Sequence, residues 1–178
     1  MLFISYSSMV FFITAGWCLA RGLRFLQRRS TTLKRELQLL LVYICIVVVA
    51  RFTFFPFSKV NGQIQPLIFD PALALSFRIN WIPLVNLLDY PALGDILINV
   101  IGNTAMFIPL GIVWPCVYPQ LDTPAKTIGA GVGFSLLIEL LQLPFYDRVT
   151  DIDDLLLNSL GFLLGYLIYR LARLIKKS

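Results

Sequence analysis

Apolar residues fall into five long runs along the chain, and shorter polar or mixed stretches separate the runs. Each run approaches or exceeds the roughly 20 apolar residues with which a helix crosses a hydrocarbon core. The pattern therefore predicts an all-α integral membrane protein, a bundle of about five transmembrane helices in a single domain. The domain covers residues 1–178, and the predicted spans are residues 2–20, 37–57, 95–118, 126–145 and 154–172.

The stretch between the second and third runs, residues 58–94, is too apolar for a free linker and is divided by prolines. Its residues Trp81, Leu84, Leu87 and Leu88 are typical of short helices that lie in a membrane interface. We therefore expect short interfacial helices between spans two and three, at the surface of one leaflet.

Composition supports the membrane assignment. Hydrophobic residues make up 58% of the chain and charged residues only 14%, whereas soluble domains contain about 45–50% and about 25%, respectively. The chain has no histidine, the commonest catalytic base and metal ligand. Three cysteines, Cys18, Cys45 and Cys116, all lie within apolar runs. An odd number of cysteines in that setting predicts neither a disulfide framework nor a zinc site.

Basic residues concentrate on one side of the predicted bundle. The stretches 21–36, 119–126 and 170–178 hold eleven basic and two acidic residues, whereas the opposite side holds three basic and seven acidic ones. Because loops rich in lysine and arginine stay in the cytoplasm, the N-terminus is predicted outside and the C-terminus cytoplasmic. The first run is not expected to be a cleaved signal peptide, because its charge follows the apolar stretch. The net charge of +5 reflects this basic face and does not indicate a nucleic-acid partner; the expected partners of the face are anionic membrane lipids.

Several polar side chains lie within the spans at a similar distance from the outer surface. A helix rises about 1.5 Å per residue, which places Arg51 and Glu139 ~9 Å deep. The same count places Asn99 and Asn158 ~6 Å deep and Asn103 ~12 Å deep. Polar groups are costly in hydrocarbon and often mark function, so we predict a ligand-binding site in the outer half of the membrane. Its candidate residues are Arg51, Asn99, Asn103, Glu139, Gln142, Arg148, Asp151, Asp154 and Asn158.

Helical spacing predicts which faces meet. The residues Asp154, Asn158, Gly161 and Gly165 form one stripe along the fifth span, since they recur at intervals of three or four. The fourth span carries a second pair of glycines at an interval of four, Gly129 and Gly133. Small residues at this spacing let helices approach closely. We therefore expect spans four and five to pack through these glycines, with the polar stripe facing the bundle interior.

Structural interpretations of the same residues stay open beside the functional one. Asp151, Asp153 and Asp154 are also typical of residues that cap a helix and complement its dipole. Arg51 and Glu139, at equal depth, are also consistent with an ion pair that serves only the fold. Asparagines within spans are also typical of bonds between helices.

Three motifs together carry a family resemblance: "GNTAMFIPLG" (102–111), "SLLIELLQ" (135–142) and "RVTDIDDLLLNSLGFLLG" (148–165). They resemble, in order, the signature of VanZ-like membrane proteins, which also often have an arginine where Arg51 stands. A mild departure is Leu84, where an aromatic residue is common in the family. The positions that match the family motifs are Asn103, Phe107, Pro109, Gly111, Ser135, Glu139, Gln142, Arg148, Asp151, Asp154, Asn158 and Gly161.

The resemblance implies a setting, a bacterial cell membrane, and a link to resistance against teicoplanin and related lipoglycopeptides. Three functions stay open. In the first, the outer polar site binds or alters an amphiphile, either the lipid tail of such an antibiotic or a lipid-linked cell-wall precursor. In the second, the protein is an intramembrane enzyme on a lipid-linked substrate, with Glu139 or Asp154 as acid–base group. In the third, it is a structural or partner-binding membrane protein.

No cofactor is expected. The one metal option is a Mg²⁺ ion held by Asp151, Asp153 and Asp154 together with a substrate phosphate, since Mg²⁺ takes carboxylate and phosphate oxygens.

Overall fold

The computed structural model describes residues 2–27, 32–56, 59–76, 78–85, 92–121 and 123–176. In these ranges five helices are long and apolar enough to cross a membrane, which confirms the predicted helical bundle. Together they set the architecture, with short strands as minor elements. The helices are α1 (Tyr6–Leu26), α2 (Leu33–Phe54), α3 (Leu93–Val117), α4 (Pro124–Gln142) and α5 (Ile152–Ile175).

Side-chain caps fix where several helices begin. The Thr32 side chain accepts the Arg35 N–H, so α2 begins at Leu33, four residues before the predicted start. The Thr123 side chain accepts the Lys126 N–H in the same way and starts α4 at Pro124. Each cap satisfies a backbone donor that has no partner within its own helix. The apolar pattern alone missed the start of α2 because the polar residues Lys34, Arg35 and Glu36 form its first turn.

The closest helix contact joins α3 to α5 through three glycines. A Cβ added at Gly161 would lie 2.0 Å from the Thr104 carbonyl oxygen, and one at Gly165 would lie 2.1 Å from the Ile108 oxygen. On the facing helix, a Cβ at Gly111 would lie 2.1 Å from the Phe162 oxygen. Both backbones therefore require glycine at these positions, and α3 and α5 form a rigid seam.

The predicted pairing of glycines between spans four and five is wrong. Gly129 and Gly133 have no atom within 4 Å of where a Cβ would stand. The two spans do contact each other, but through Gly131, whose added Cβ would lie 2.5 Å from the Phe162 ring. Spacing identified the glycines of α5 as a packing face, yet it could not tell which helix that face meets.

The hydrophobic core lies between α2, α3, α4 and α5. Phe107, Leu110 and Phe162 are fully buried at its centre, and Val49 and Ile138 complete it from α2 and α4. Helix α1 has no buried residue among those described. It packs at the edge of the bundle and therefore contributes little to the core.

Short strands organise one end of the bundle. β1 (Leu2–Ile4) pairs antiparallel with β2 (Leu67–Phe69), and β3 (Ile79–Asn80) pairs parallel with β4 (Thr150–Asp151). We call this the strand end. The end of α1, the start of α2, the end of α3, the start of α4 and the last turns of α5 form the opposite end, here called the basic end.

The predicted interfacial segment differs in part from expectation. Its described residues contain the short 3₁₀ helix Pro71–Leu75, but also β2 and β3, which the sequence pattern did not predict. Trp81 and Leu84 are exposed beyond β3, while Leu87 and Leu88 lie outside the described residues. Strands of two or three residues are too short to show an alternating pattern in the sequence. Their stability depends on partners far along the chain.

Candidate functional site

A polar cavity of about 420 Å³ lies at the strand end, between the ends of α2, α3, α4 and α5. We call it the strand-end cavity. Five of the predicted site residues line it: Asn99, Asn103, Gln142, Arg148 and Asp154. Apolar side chains of α2 and α3 complete the wall, and two of them, Phe52 and Ile98, are also exposed on the outside of the bundle. The cavity wall thus combines polar and apolar side chains, and the cavity opens to the outside of the bundle beside Phe52 and Ile98.

Arg148 supplies the positive charge of the cavity. It lies in the connection between α4 and α5, where its Nε donates to the Phe54 carbonyl oxygen at 2.9 Å. Burial lowers the pKa of its guanidinium, and the nearby carboxylates of Asp147 and Asp154 oppose that shift. A guanidinium stays protonated in proteins regardless. Arg148 therefore presents a permanent, partly desolvated cation to any ligand in the cavity.

A bond between Asn103 and Asp154 joins α3 to α5 on the cavity wall. The Asn103 Nδ2 donates to the Asp154 Oδ1 at 2.6 Å and to the Asn99 Oδ1 at 3.3 Å. The chain of contacts fixes the orientation of three side chains on two helices. Preset orientation lowers the cost of ordering these groups around a ligand.

Gln142 leaves one acceptor without a partner. Its Nε2 donates to the Thr53 carbonyl oxygen at 2.7 Å, which ties α4 to α2. Its Oε1 is buried and has no hydrogen-bond partner among the described residues. Buried polar atoms are almost always hydrogen-bonded. An acceptor in that state on a cavity wall indicates a place for a donor group of a ligand or a water molecule.

Arg51 and Glu139 do not line the cavity, and they do not pair with each other. The Arg51 Nη1 donates to the carbonyl oxygens of Phe55 and Pro56, at 3.2 and 3.1 Å. The Glu139 carboxylate accepts the Asp151 N–H at 3.0 Å. The predicted ion pair is therefore wrong: each charge is bonded to backbone at the end of a different helix. Counting along the helices gave the two residues the same depth, but it could not show whether their side chains point toward each other.

The three aspartates at the start of α5 take three different partners. Asp151 caps the helix by accepting the Asp153 N–H at 3.0 Å, which confirms the capping interpretation for that residue. Both carboxylate oxygens of Asp153 accept the Leu84 N–H at 2.9 Å, and Asp154 bonds Asn103. Across the described ranges, no group of three or more histidine, cysteine, aspartate or glutamate residues is arranged to hold a metal ion.

Asn158 lies inside the bundle, away from the cavity wall. It is 1% exposed, and its Nδ2 donates to the Ser135 Oγ at 3.0 Å, which joins α5 to α4. Such a bond between spans is the structural role that asparagines often have.

The cavity is also lined by residues that were not among the predicted site residues, Thr53, Asp95 and Asp147. Asp95 lies in the first turn of α3, four residues before Asn99 and so on the same face. That spacing was the available signal for Asp95. Asp147 directly precedes Arg148, and Thr53 carried no signal of its own.

The comparisons with known proteins identify the family. The family model described as VanZ/LLP1 matches residues 40–173, from the middle of α2 almost to the end of α5. The match covers well over half of the chain and contains every residue of the strand-end cavity named above. No curated protein and no solved structure matches the chain. The matched region and the three motifs agree, and the chain belongs to the VanZ/LLP1 family.

Proposed function

We propose that the protein binds the polar head of an amphiphile in the strand-end cavity and thereby reduces susceptibility to teicoplanin and related lipoglycopeptides. The observation that carries the proposal is the composition of the cavity wall. A guanidinium, several carboxylate and amide oxygens and exposed apolar side chains meet in one space of about 420 Å³. Ligand sites commonly fall in the range of about 300–1,000 Å³.

The polar groups suit a head that carries both an acid and hydroxyl or amine groups. Arg148 matches a phosphate or carboxylate, because a guanidinium binds these groups with two parallel hydrogen bonds. The carboxylates of Asp95, Asp147 and Asp154 accept hydrogen bonds from hydroxyl and amine groups. A lipoglycopeptide and a lipid-linked cell-wall precursor both combine such groups with an apolar chain.

Entry from the lipid is supported by two exposed apolar residues that α2 and α3 contribute to the wall. Phe52 is 36% exposed and Ile98 is 61% exposed, although both also line the cavity. An apolar chain can remain against this lipid-facing surface of α2 and α3 while the head enters between them. The polar head then avoids crossing hydrocarbon without partners.

The strand end is proposed to lie on the outer side of the membrane. The excess of basic residues at the basic end supports this orientation. In a variant without the three native cysteines, Lys59→Cys should react with a membrane-impermeant maleimide applied to intact cells. Protection of this cysteine until the cells are opened would reverse the orientation and remove the outer-leaflet assignment.

Susceptibility measurements test the function in cells. Expression in a lipoglycopeptide-sensitive bacterial host should raise the inhibitory concentration of teicoplanin, but not that of a glycopeptide without a lipid tail. Arg148→Gln and Asp95→Asn should lose the effect, because both remove a charge from the cavity wall. Lys59→Gln is the matched control, since Lys59 is exposed at the same end and does not line the cavity. Equal inhibitory concentrations with and without the wild-type protein would refute the proposal.

Binding measurements on the purified chain separate the alternatives. Teicoplanin or a lipid-linked cell-wall precursor should co-purify with the wild type in native mass spectrometry and should be lost from Arg148→Gln. A lipid recovered with a changed mass would instead assign a reaction to this cavity, with Asp154 as the acid–base candidate that lines it. Variants that lose only thermal stability, with no bound ligand in the wild type, would favour the purely structural role.

A further inference from the structure

We propose that a second cavity, at the basic end of the bundle, binds a phosphate group. The phosphate belongs either to the head of an anionic lipid or to a soluble phosphate ester. This basic-end cavity has a volume of about 660 Å³ and lies between the start of α2, the end of α3 and the last turns of α5. It is separate from the strand-end cavity, and the inference does not depend on the function proposed for that site.

Four positive side chains line the basic-end cavity. Lys34 comes from α2, Arg170 and Arg173 come from α5, and Lys176 follows the last turn of α5. No described residue of its wall is a carboxylate. Side chains from distant parts of the chain thus bring like charges together around one space.

Among the described residues, protein groups leave most of this charge uncompensated. The Arg170 Nη1 donates to the Tyr166 hydroxyl oxygen at 3.2 Å, and the Arg173 Nη1 donates to the Tyr169 hydroxyl oxygen at 3.1 Å. Both partners are neutral. In the part of the chain that the structure describes, the one salt bridge joins Arg21 to Glu36, and neither residue lines the cavity.

The helix dipole does not account for all four cations. Three of them lie at the end of α5, where the negative end of the dipole favours positive charge. Lys34 lies in the first turn of α2, where the dipole is positive and disfavours a cation. A bound anion stabilises both sets of charges, because it relieves the repulsion among four like charges.

Phosphate matches the donors in the cavity. Each guanidinium has donors beyond the one given to tyrosine, and planar guanidinium groups bind phosphate oxygens in pairs. Lysines add point charges around the same group. The cavity lies at the ends of three apolar helices, the level at which lipid headgroups meet a membrane protein.

Binding to defined probes tests the inference on the full chain. The lipid arm uses nanodiscs with either phosphatidylglycerol or phosphatidylcholine, followed by gentle release and native mass spectrometry of the retained lipid. The soluble arm titrates glycerol 3-phosphate into detergent-purified protein and follows the thermal unfolding midpoint. We expect phosphatidylglycerol or glycerol 3-phosphate to bind the wild type, and the responding arm identifies the source of the phosphate.

Charge removal locates the site. Arg173→Gln and Lys34→Gln should each weaken the bound probe about ten-fold or more, which corresponds to the loss of a charge-assisted contact. Arg24→Gln is the matched control, because Arg24 is exposed in the last turn of α1 and does not line the cavity. Arg173→Lys keeps the charge but loses the paired donors, so it should bind more tightly than Arg173→Gln and more weakly than the wild type.

Two results would overturn the inference. The first is the absence of binding in both arms for a folded wild-type protein. The second is an equal loss of affinity in Arg24→Gln and Arg173→Gln, since that pattern assigns the attraction to the whole basic surface rather than to the cavity.

Discussion

The two ends of the bundle use charged residues in opposite ways. At the strand end, charged side chains bond to backbone groups of neighbouring segments: Arg51 to Phe55, Glu139 to Asp151 and Asp153 to Leu84. At the basic end, four cations face an open cavity. Two of them, Arg170 and Arg173, donate hydrogen bonds to neutral tyrosine side chains, and no other side-chain hydrogen-bond partner is found for these two among the described residues. The first arrangement holds the fold together, whereas the second leaves charge available.

Similar charges in one membrane protein thus have different roles. A buried charge bonded to backbone costs much when its partner is removed, because the remaining group loses its hydrogen bond in a dry place. A charge that faces a cavity costs the fold little when it is removed, although a ligand would lose its contact. Removal of a charge bonded to backbone at the strand end should therefore lower stability, whereas removal of a cation at the basic end should leave stability almost unchanged.

The largest expected effect lies in the seam that holds the two ends together. Gly161→Ala should lower the free energy of unfolding in detergent micelles by about 3 kcal/mol, since overpacking costs typically about 1–3 kcal/mol and occasionally more. The added Cβ would meet the backbone of Thr104 at 2.0 Å, and backbone cannot move aside as a flexible side chain can. Chemical unfolding of the purified variant measures the change.

Gly133→Ala is the control for this substitution. It also places alanine in a helix, but no atom lies within 4 Å of the new Cβ. Its stability should stay the same or rise slightly, because alanine favours helices over glycine. Equal destabilisation by both variants would mean that α3 and α5 are not joined at Gly161.

An intermediate effect is expected at Glu139, whose carboxylate holds the start of α5. Glu139→Leu keeps a side chain of similar size but leaves the Asp151 N–H without its acceptor, so we expect a loss of about 2 kcal/mol. Glu139→Gln retains an oxygen that can accept the same bond, and its loss should stay below about 1 kcal/mol. Unfolding curves of the two variants check the difference, and identical curves would show that the bond contributes nothing.

The smallest effect should distinguish one arginine at each end. Arg173→Gln should change the free energy of unfolding by no more than about 0.5 kcal/mol, as is usual for exposed side chains. Arg148→Gln should lower it by about 1–2 kcal/mol, because the Phe54 carbonyl loses a charged donor. Thermal unfolding of the two variants, measured side by side, checks this difference. A lower stability of Arg173→Gln than of Arg148→Gln would contradict the comparison of the two ends.

The helices could be predicted from the sequence because lipid leaves few choices. A segment that crosses hydrocarbon must satisfy its backbone hydrogen bonds internally, so a long apolar run becomes a helix. The strands could not be predicted in this way. Leu2 pairs with Phe69, and Ile79 pairs with Thr150, so each pairing depends on residues far along the chain.

The candidate site was predictable in depth but not in direction. Counting along the helices assigned Asn103 and Asp154 to one site in the outer half of the membrane, and the structure joins them by a hydrogen bond. The same counting gave Arg51 and Glu139 one depth, yet they face different partners. The rotation of one helix against another depends on packing contacts such as those of Gly111 and Gly165, which spacing within a single helix cannot supply.

The pairing of β3 with β4 imposes an order on the biogenesis of the protein. Ile79 pairs with Thr150, and the Leu84 N–H donates to the Asp153 carboxylate. Neither Ile79 nor Leu84 therefore has its partner until the start of α5 has been synthesised. Until α5 inserts, Gly111 of α3 also faces lipid or the insertion machinery instead of the Phe162 backbone. A nascent chain that stops before Thr150 is therefore an unfinished bundle, and quality-control proteases would meet it with β3 unpaired.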